Sequence, residues 1–193
     1  MRRVAAFDFD KTLSTRDNVL PFVRLAVGRS RLGLGLVRSS PRLVAAALDS
    51  RRRDAAKAAL VRHTLAGVDE SALERVALQF AGDVRASHLR ADLVERLTWH
   101  RDQGHETVIV SASFRNYLEP VARALGVDAV LATELEVRDG RLTGRLVGAN
   151  VRGVEKVRRL DAWLGPGEVE LWAYGDSSGD DELLARADHP VRV

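Results

Sequence analysis

An α/β fold is what this 193-residue sequence predicts: a parallel sheet flanked by helices, with a small all-helical cap inserted after the first strand. Three observations carry that prediction. The run Val4-Ala5-Ala6-Phe7 is apolar on both alternating faces, as a strand buried inside a parallel sheet must be. After Leu13 the pattern turns helical and stays so for about 90 residues. From His88 onward, strand-like and helical segments alternate, which calls for right-handed crossovers between parallel strands. On this reading residues 1–15 and 88–193 build the α/β core and residues 16–87 the helical cap.

The elements follow in order. Asn18 to Val27 carries apolar residues at helical spacing and stops at Gly28. Arg31 to Leu48 contains Leu32, Leu34, Leu36, Val37, Leu43, Val44 and Leu48. Ser39-Ser40-Pro41 within it predicts two helical pieces with a cap between them, because proline removes a donor and crowds the preceding turn. Asp54 to Leu65 and Glu70 to Val84 are amphipathic helices separated by Gly67. A helix over Leu89 to Gln103 ends at Gly104, and Glu106-Thr107-Val108-Ile109-Val110 is a β-branched buried strand. Phe114 to Leu125 is helical and closes at Gly126; Ala129 to Ala132 is a strand. Leu135 to Val137 and Arg141 to Leu146 flank Asp139-Gly140, a hairpin signal because both residues tolerate positive φ. Gly153 to Leu164 is a helix closed by Gly165-Pro166-Gly167. Val169 to Tyr174 is a strand, Asp180 to Ala187 a helix, and Val191 to Val193 a last short strand.

Composition bounds the function. The sequence contains no cysteine, which excludes disulfides, thiolate catalysis and Cys-ligated zinc. No uncharged apolar run is long enough to span a bilayer, and the stretch after Met1-Arg2-Arg3 is too short for a signal peptide, so a cytoplasmic location is expected. The net charge of +3 hides an asymmetry, with 13 basic against 7 acidic residues over positions 14 to 88. Solvated arginine faces on helices account for that bias more simply than a dedicated polyanion site. No nucleic-acid partner is expected, since the basic segment does not alternate with aromatics as single-strand binders do. Peripheral contact with lipid stays open, and the oligomeric state is not readable.

The chemistry is concentrated at three strand ends. The first strand ends in Asp8-Phe9-Asp10, the second in Ser111-Ala112-Ser113, and the one after the hairpin in Gly175-Asp176-Ser177-Ser178-Gly179-Asp180-Asp181. If the sheet is parallel, all three meet at its carboxyl edge, where open α/β sheets bind ligands. Lys156 arrives there from the start of the preceding helix. Two carboxylates one residue apart at the end of a buried strand repel each other and resist desolvation. A divalent cation, or a reaction needing one nucleophilic and one proton-shuttling carboxylate, repays that cost.

These residues resemble the haloacid dehalogenase (HAD) superfamily of hydrolases, in its phosphoserine-phosphatase-like branch (subfamily IB). Asp8-Phe9-Asp10-Lys11-Thr12 matches its first motif, Ser111 its second, Lys156 within Gly153 to Leu160 its third, and Gly175-Asp176-Ser177-Ser178-Gly179-Asp180 its fourth. Four motifs in order make a strong signal, although an isolated lysine or serine is nearly uninformative. The resemblance implies a Rossmann-like core and a Mg²⁺-dependent phosphomonoester hydrolase acting on a small phosphorylated substrate. In it Asp8 is the nucleophile that becomes an aspartyl-phosphate, and Asp10 is the general acid and base. Ser111 and Lys156 hold the phosphoryl group, with backbone N–H groups of Ala112 and Ser113 at a helix start. Asp8, Asp176 and the Asp10 backbone carbonyl are the implied metal ligands. Thr12 positions Asp8 or Asp10, and Asp180 supports the metal or Lys156. Lys11 stands where many members have glycine.

The substrate is less sharply drawn. Asp17 falls where phosphoserine phosphatases place a substrate-contacting carboxylate, and capping the first cap helix is its bland reading. Arg16, Arg24 and Arg51 to Arg53 have the charge to steer an anion, with exposure the default. Phosphoserine-like metabolites and phospholipid-type phosphomonoesters both remain candidates, because fold analogy does not choose between them. A phosphotransferase, or a catalytically weak binding module with a basic cap for anionic partners, is the alternative. Ser113, Ser177 and Ser178 read as capping or turn residues. The five histidines lack paired ligand spacing and read as surface or capping groups, and Trp99, Trp163 and Trp172 as core or interface aromatics.

Overall fold

A computed structural model describes residues 1–49 and 52–193. Arg51, among the arginines expected to steer an anion, lies outside the described residues. Five parallel strands form one sheet in the order β3-β2-β1-β6-β7: β1 Arg2–Phe7, β2 Glu106–Phe114, β3 Ala129–Thr133, β6 Val169–Gly175 and β7 His189–Arg192. The sequence places β1 first, and pairing puts it at the centre, between β2 and β6. Its apolar run is fully buried because both faces are covered. Ala5, Phe7 and Ile109 point into one core, with Leu93 and Leu97 of α4 (Ala91–Asp102) and Tyr117, Leu118 and Val121 of α5 (Arg115–Leu125). Val4, Ala6, Val108 and Val110 point into the other, with Leu160 and Leu164 of α6 (Val154–Leu164) and Leu183 and Leu184 of α7 (Asp181–Arg186). The two-residue period of a strand thus divides one short run between two cores.

Three helices lie between β1 and α4 in the sequence: α1 Val19–Leu48, α2 Arg53–Leu65 and α3 Glu70–Ser87. They are tied to the core by rings. Phe22 of α1 and Phe80 of α3 lie 4.8 and 5.2 Å from the ring of Tyr117. The hairpin β4 (Leu135–Arg138) and β5 (Arg141–Leu146) turns at Asp139 and Gly140, both at positive φ as the dipeptide predicts. It docks on the α2–α3 junction, where Leu142 exchanges backbone hydrogen bonds with Gly67 and Val68. Gly144 makes that approach possible, since an added Cβ would stand 2.8 Å from the Ala66 side chain.

Several expectations need correcting. Pro41 does not divide α1; it sits on the exposed side of the helix, on the same face as exposed Val37 and Val44. The break falls at Gly28, whose φ of 77° and ψ of 169° leave helical space. In a straight helix Leu20 and Leu43 would stand about 35 Å apart at 1.5 Å per residue. Both line one cavity, so the chain folds back at Gly28. β2 runs on through Ser111 to Phe114 with an irregular register, so α5 begins at Arg115. The last strand is His189–Arg192, earlier than expected, because Trp172 pairs with His189. His100 is fully buried rather than superficial, bonded to His105 and Tyr174, while Trp99 is 42% exposed. No helix among the described residues is long and apolar enough to cross a membrane.

Candidate active site

The carboxyl ends of β1, β2 and β6 converge as the parallel register requires. Asp8 follows β1 and its N–H donates to the Tyr174 carbonyl at the end of β6. Asp176 follows β6, and Ser111 lies among the last four residues of β2. Lys156, in the first turn of α6, donates to Asp8 Oδ1 and to Asp180 Oδ1, each at 2.5 Å. All three groups are nearly sequestered from solvent. Burial disfavours the Lys156 ammonium, but the two carboxylates beside it hold its pKa above the ordinary value. Burial pushes the Asp8 carboxyl up to about 6 against the pull of that ammonium. Burial also opposes charge on Asp180, yet Lys156 and two hydrogen bonds from Ser177 hold it below the usual range.

Carboxylate oxygens of Asp8, Asp176 and Asp180 lie within 4.8 Å of one another. Three carboxylates against one lysine leave two negative charges, and every available donor is a hard oxygen. That set fits a divalent cation of the Mg²⁺ type. The Asp10 carboxylate does not join it. Asp10 Oδ2 accepts from Ser113 Oγ at 2.5 Å, and Oδ1 accepts from the side chain and backbone of Asn18 at 2.8 and 3.1 Å. Only the backbone carbonyl of Asp10 is left for a cation. Burial, with Asp17 and then Asp8 adding to it, pushes the Asp10 carboxyl up to about 7. The two aspartates therefore separate into two environments, one ion-paired and one held by neutral donors.

The remaining expected residues fall as follows. Ser111 Oγ accepts from the Ser113 N–H at 3.2 Å, which leaves its own hydroxyl proton available. Ala112 and Ser113 lie in the irregular end of β2 and not at a helix start, because α5 opens two residues later. Ser113 is not a cap; it holds Asp10. Thr12 Oγ1 is buried with no partner among the described residues, so it bonds neither aspartate. Asp17 Oδ1 accepts from Val19 N–H at 3.0 Å and so takes the capping geometry, while lining the cavity. Ser177 serves its turn through Asp180 and Gly179. Lys11 has φ of 60°, the left-handed region that glycine enters freely.

Three side chains escaped the sequence reading. Lys57 of α2 reaches across to donate to the Ala112 carbonyl and to Asn150 Oδ1, with its ammonium 4.7 Å from the Phe114 ring centre. Asn150 also accepts from Thr133 and donates to Asp54. Asn18 is wholly buried beneath Asp10. A signal existed for Lys57: it shares a helical stripe with Leu60, Val61 and Thr64, which face the core. Lys57 and Asn150, with Asp8, Asp10, Lys156 and Asp176, line a cavity of about 480 Å³. Its floor is acidic, and its opposite wall is Leu20, Leu43, Ala46, Ala56 and Leu60, with Arg53 at the side.

A family model described as haloacid dehalogenase-like hydrolase matches residues 5–185. The chain is 41% identical over 186 residues to protein CicA of Caulobacter vibrioides, covering 96% of this chain and 83% of that protein. It is 29% identical over 189 residues to the phosphoserine phosphatase SerB2 of Mycobacterium tuberculosis, covering 96% of this chain and 42% of that one. Among solved structures, a protein of unknown function from Bordetella pertussis superposes with a TM-score of 0.75 at 27% identity, covering 100% of this chain and 90% of that one.

Proposed function

The chain belongs to the haloacid dehalogenase-like hydrolases, and on that premise we propose that it is a Mg²⁺-dependent phosphomonoesterase working through an aspartyl-phosphate on Asp8. One observation carries the reading: Asp8 and Asp10, two residues apart, are tuned differently, Asp8 by a lysine it shares with Asp180 and Asp10 by Ser113 and Asn18. Two like groups pushed apart by their surroundings suit a nucleophile and an acid. The names of the phosphatase relatives support the same reaction class.

In this mechanism an Asp8 carboxylate oxygen attacks phosphorus, and the bond to the leaving oxygen breaks. Asp10, kept protonated by its burial, gives its proton to that oxygen and releases the alcohol. Asp10 then takes a proton from water, whose oxygen attacks the phosphorus and frees Asp8 and inorganic phosphate. Lys156 holds Asp8 in line and offsets negative charge that accumulates at the phosphoryl oxygens. Ser111 donates its free hydroxyl proton to one of those oxygens. Asp8, Asp176 and the Asp10 carbonyl would hold Mg²⁺, with Asp180 supporting; the cation supplies charge neutralisation and orients the phosphoryl group.

Residues 16–87 act as a cap over the core of residues 1–15 and 88–193, and the leaving group lies between them. The apolar wall with Lys57 and Arg53 beside it accepts an ester carrying both apolar and anionic parts, either a phosphoserine-like metabolite or a phospholipid-type phosphomonoester. The reaction runs in the cytoplasm. Phosphate release from an aryl phosphate, with Mg²⁺ and with chelator, tests the reaction class. Turnover that survives Asp8→Asn overturns the nucleophile, and turnover indifferent to chelator overturns the cation.

A further inference from the structure

The 30 residues of α1 contain five arginines and neither an acidic residue nor a lysine. Beyond Gly28 the inward face of this helix is well defined. Leu32, Gly35, Ser39 and Ala46 are buried, and Ser39 Oγ bonds His63 of α2 at 3.0 Å. A surface helix ordinarily carries its charge on the line directly opposite such a face. Here that line is apolar. Leu34, Val37, Pro41 and Val44 follow at spacings of three, four and three, which confines them to an arc of roughly 80°. They are all exposed, Leu34 at 51%, Val37 at 69% and Val44 at 61%. Arg38 and Arg42, four residues apart, form a second row along one edge of the stripe; Arg31, seven residues earlier on that row, is tied instead to the Ala66 carbonyl at the end of α2.

We propose that this outward face of α1 docks the protein on an anionic lipid surface. An apolar stripe edged by arginines, on a helix with no carboxylate, matches the two layers of such a surface. The stripe enters the acyl boundary and the guanidinium groups meet the headgroup phosphates. Charge complementarity selects this occupant. A second copy of the chain would bring one arginine row against another. A nucleic acid would leave Leu34, Val37 and Val44 on a polar backbone, with no aromatic on the stripe to stack on bases. The inner side of the same helix contributes Leu43 and Ala46 to the cavity wall, so docking would fix the element that roofs the site.

The proposal is independent of the phosphatase reading, and the test keeps the two apart. The intact protein is floated with phosphatidylcholine vesicles made with and without phosphatidylglycerol, at low and high salt, while aryl-phosphate turnover is measured on the same preparations. Binding is expected only with phosphatidylglycerol and to fall with salt. Arg38→Ala with Arg42→Ala should bind about thirtyfold more weakly. Val37→Glu should abolish flotation while turnover in solution is unchanged. Equal flotation with neutral vesicles, none with either, or full binding by Val37→Glu overturns the docking surface. So does a dimer in solution that Val37→Glu converts to monomer, since a second copy then covers the stripe. Loss of turnover with flotation intact would count against the phosphatase alone.

Discussion

Lys57 Nζ donates to Asn150 Oδ1 at 2.7 Å, which ties a cation on helix α2 to the segment between β5 and α6 at the rim of the acidic cluster. The same ammonium donates to the Ala112 carbonyl, next to Ser111. It is the one cation that the inserted helices deliver to the end of β2 through hydrogen bonds among the described residues.

Burial lowers the pKa of Lys57 to about 8, although Asp10, Asp17 and Asp54 pull the other way. A lysine titrating there is charged at pH 7 and loses its charge as pH rises through 8. We therefore expect KM for an anionic ester to rise above pH 8 while kcat changes less. Lys57→Arg should hold KM flat across that range, and Lys57→Met should raise it about tenfold at neutral pH, the worth of one charge-assisted hydrogen bond. A KM for Lys57→Met equal to that of the parent contradicts the assignment.

Asp8→Asn and Asp10→Asn should fail in different ways. The first removes the proposed nucleophile and should lower turnover by about four orders of magnitude for every ester. The second removes the proposed acid and should lower it by about a hundredfold to ten-thousandfold for alkyl esters. For aryl esters, whose leaving group needs less protonation, the loss should be smaller. A leaving-group series measured on both variants separates the roles.

Asp10→Asn should also stabilise the fold at pH 8 without divalent cations. The folded-state pKa is raised, to about 7, so the stability Asp10 contributes is full below the unfolded value of 3.8 and is lost as pH rises through 7. A neutral amide escapes that loss. The thermal midpoint should rise by about 3 °C for each kcal/mol relieved. A lower midpoint would mean that Ser113 and Asn18 depend on the charge.

Lys156→Met should leave Asp8 and Asp180 buried and uncompensated, at a cost of about 3 to 5 kcal/mol in urea unfolding at pH 7. Lowering the pH toward 4, where both carboxylates take up protons, should recover much of it. No recovery would locate the loss in packing instead of charge.

His100 gives a second, independent pH effect. Its Nδ1 faces His105 Nδ1 at 2.9 Å and its Nε2 faces the Tyr174 hydroxyl at 2.8 Å, and the ring is fully buried. Burial, then His105 and Arg96, lowers its pKa to about 4. The unfolded chain therefore binds the proton more readily, and stability should fall as pH drops from about 6.5 toward 4, by roughly 3 kcal/mol. His100→Gln should flatten that slope in urea unfolding; an unchanged slope assigns it to other groups.

Much of this was legible along the chain because it is local. Val4 to Phe7, the β-branched run at Thr107 to Val110 and the Asp139-Gly140 turn each declare themselves within a few residues. Asp8, Ser111 and Asp176 could be expected near one another because strand ends in a parallel sheet share one edge, whatever the exact pairing; Lys156, in a helix, was legible only through the family resemblance. Pro41 lies on the exposed side of a helix that continues through it, and which side of a helix faces solvent is a tertiary fact.

Periodicity and strand ends are properties of short stretches, so the α/β class, the helical run after β1 and the clustering of polar residues at strand ends can be read along the chain. The partners of Asp10, which are Ser113 and Asn18, and the bond from Lys57 to Asn150 exist only once the elements pack. Ser113 lies 103 positions from Asp10 and Asn150 lies 93 from Lys57. Hydrogen bonds across such separations are fixed by strand register and helix packing, which no local pattern encodes.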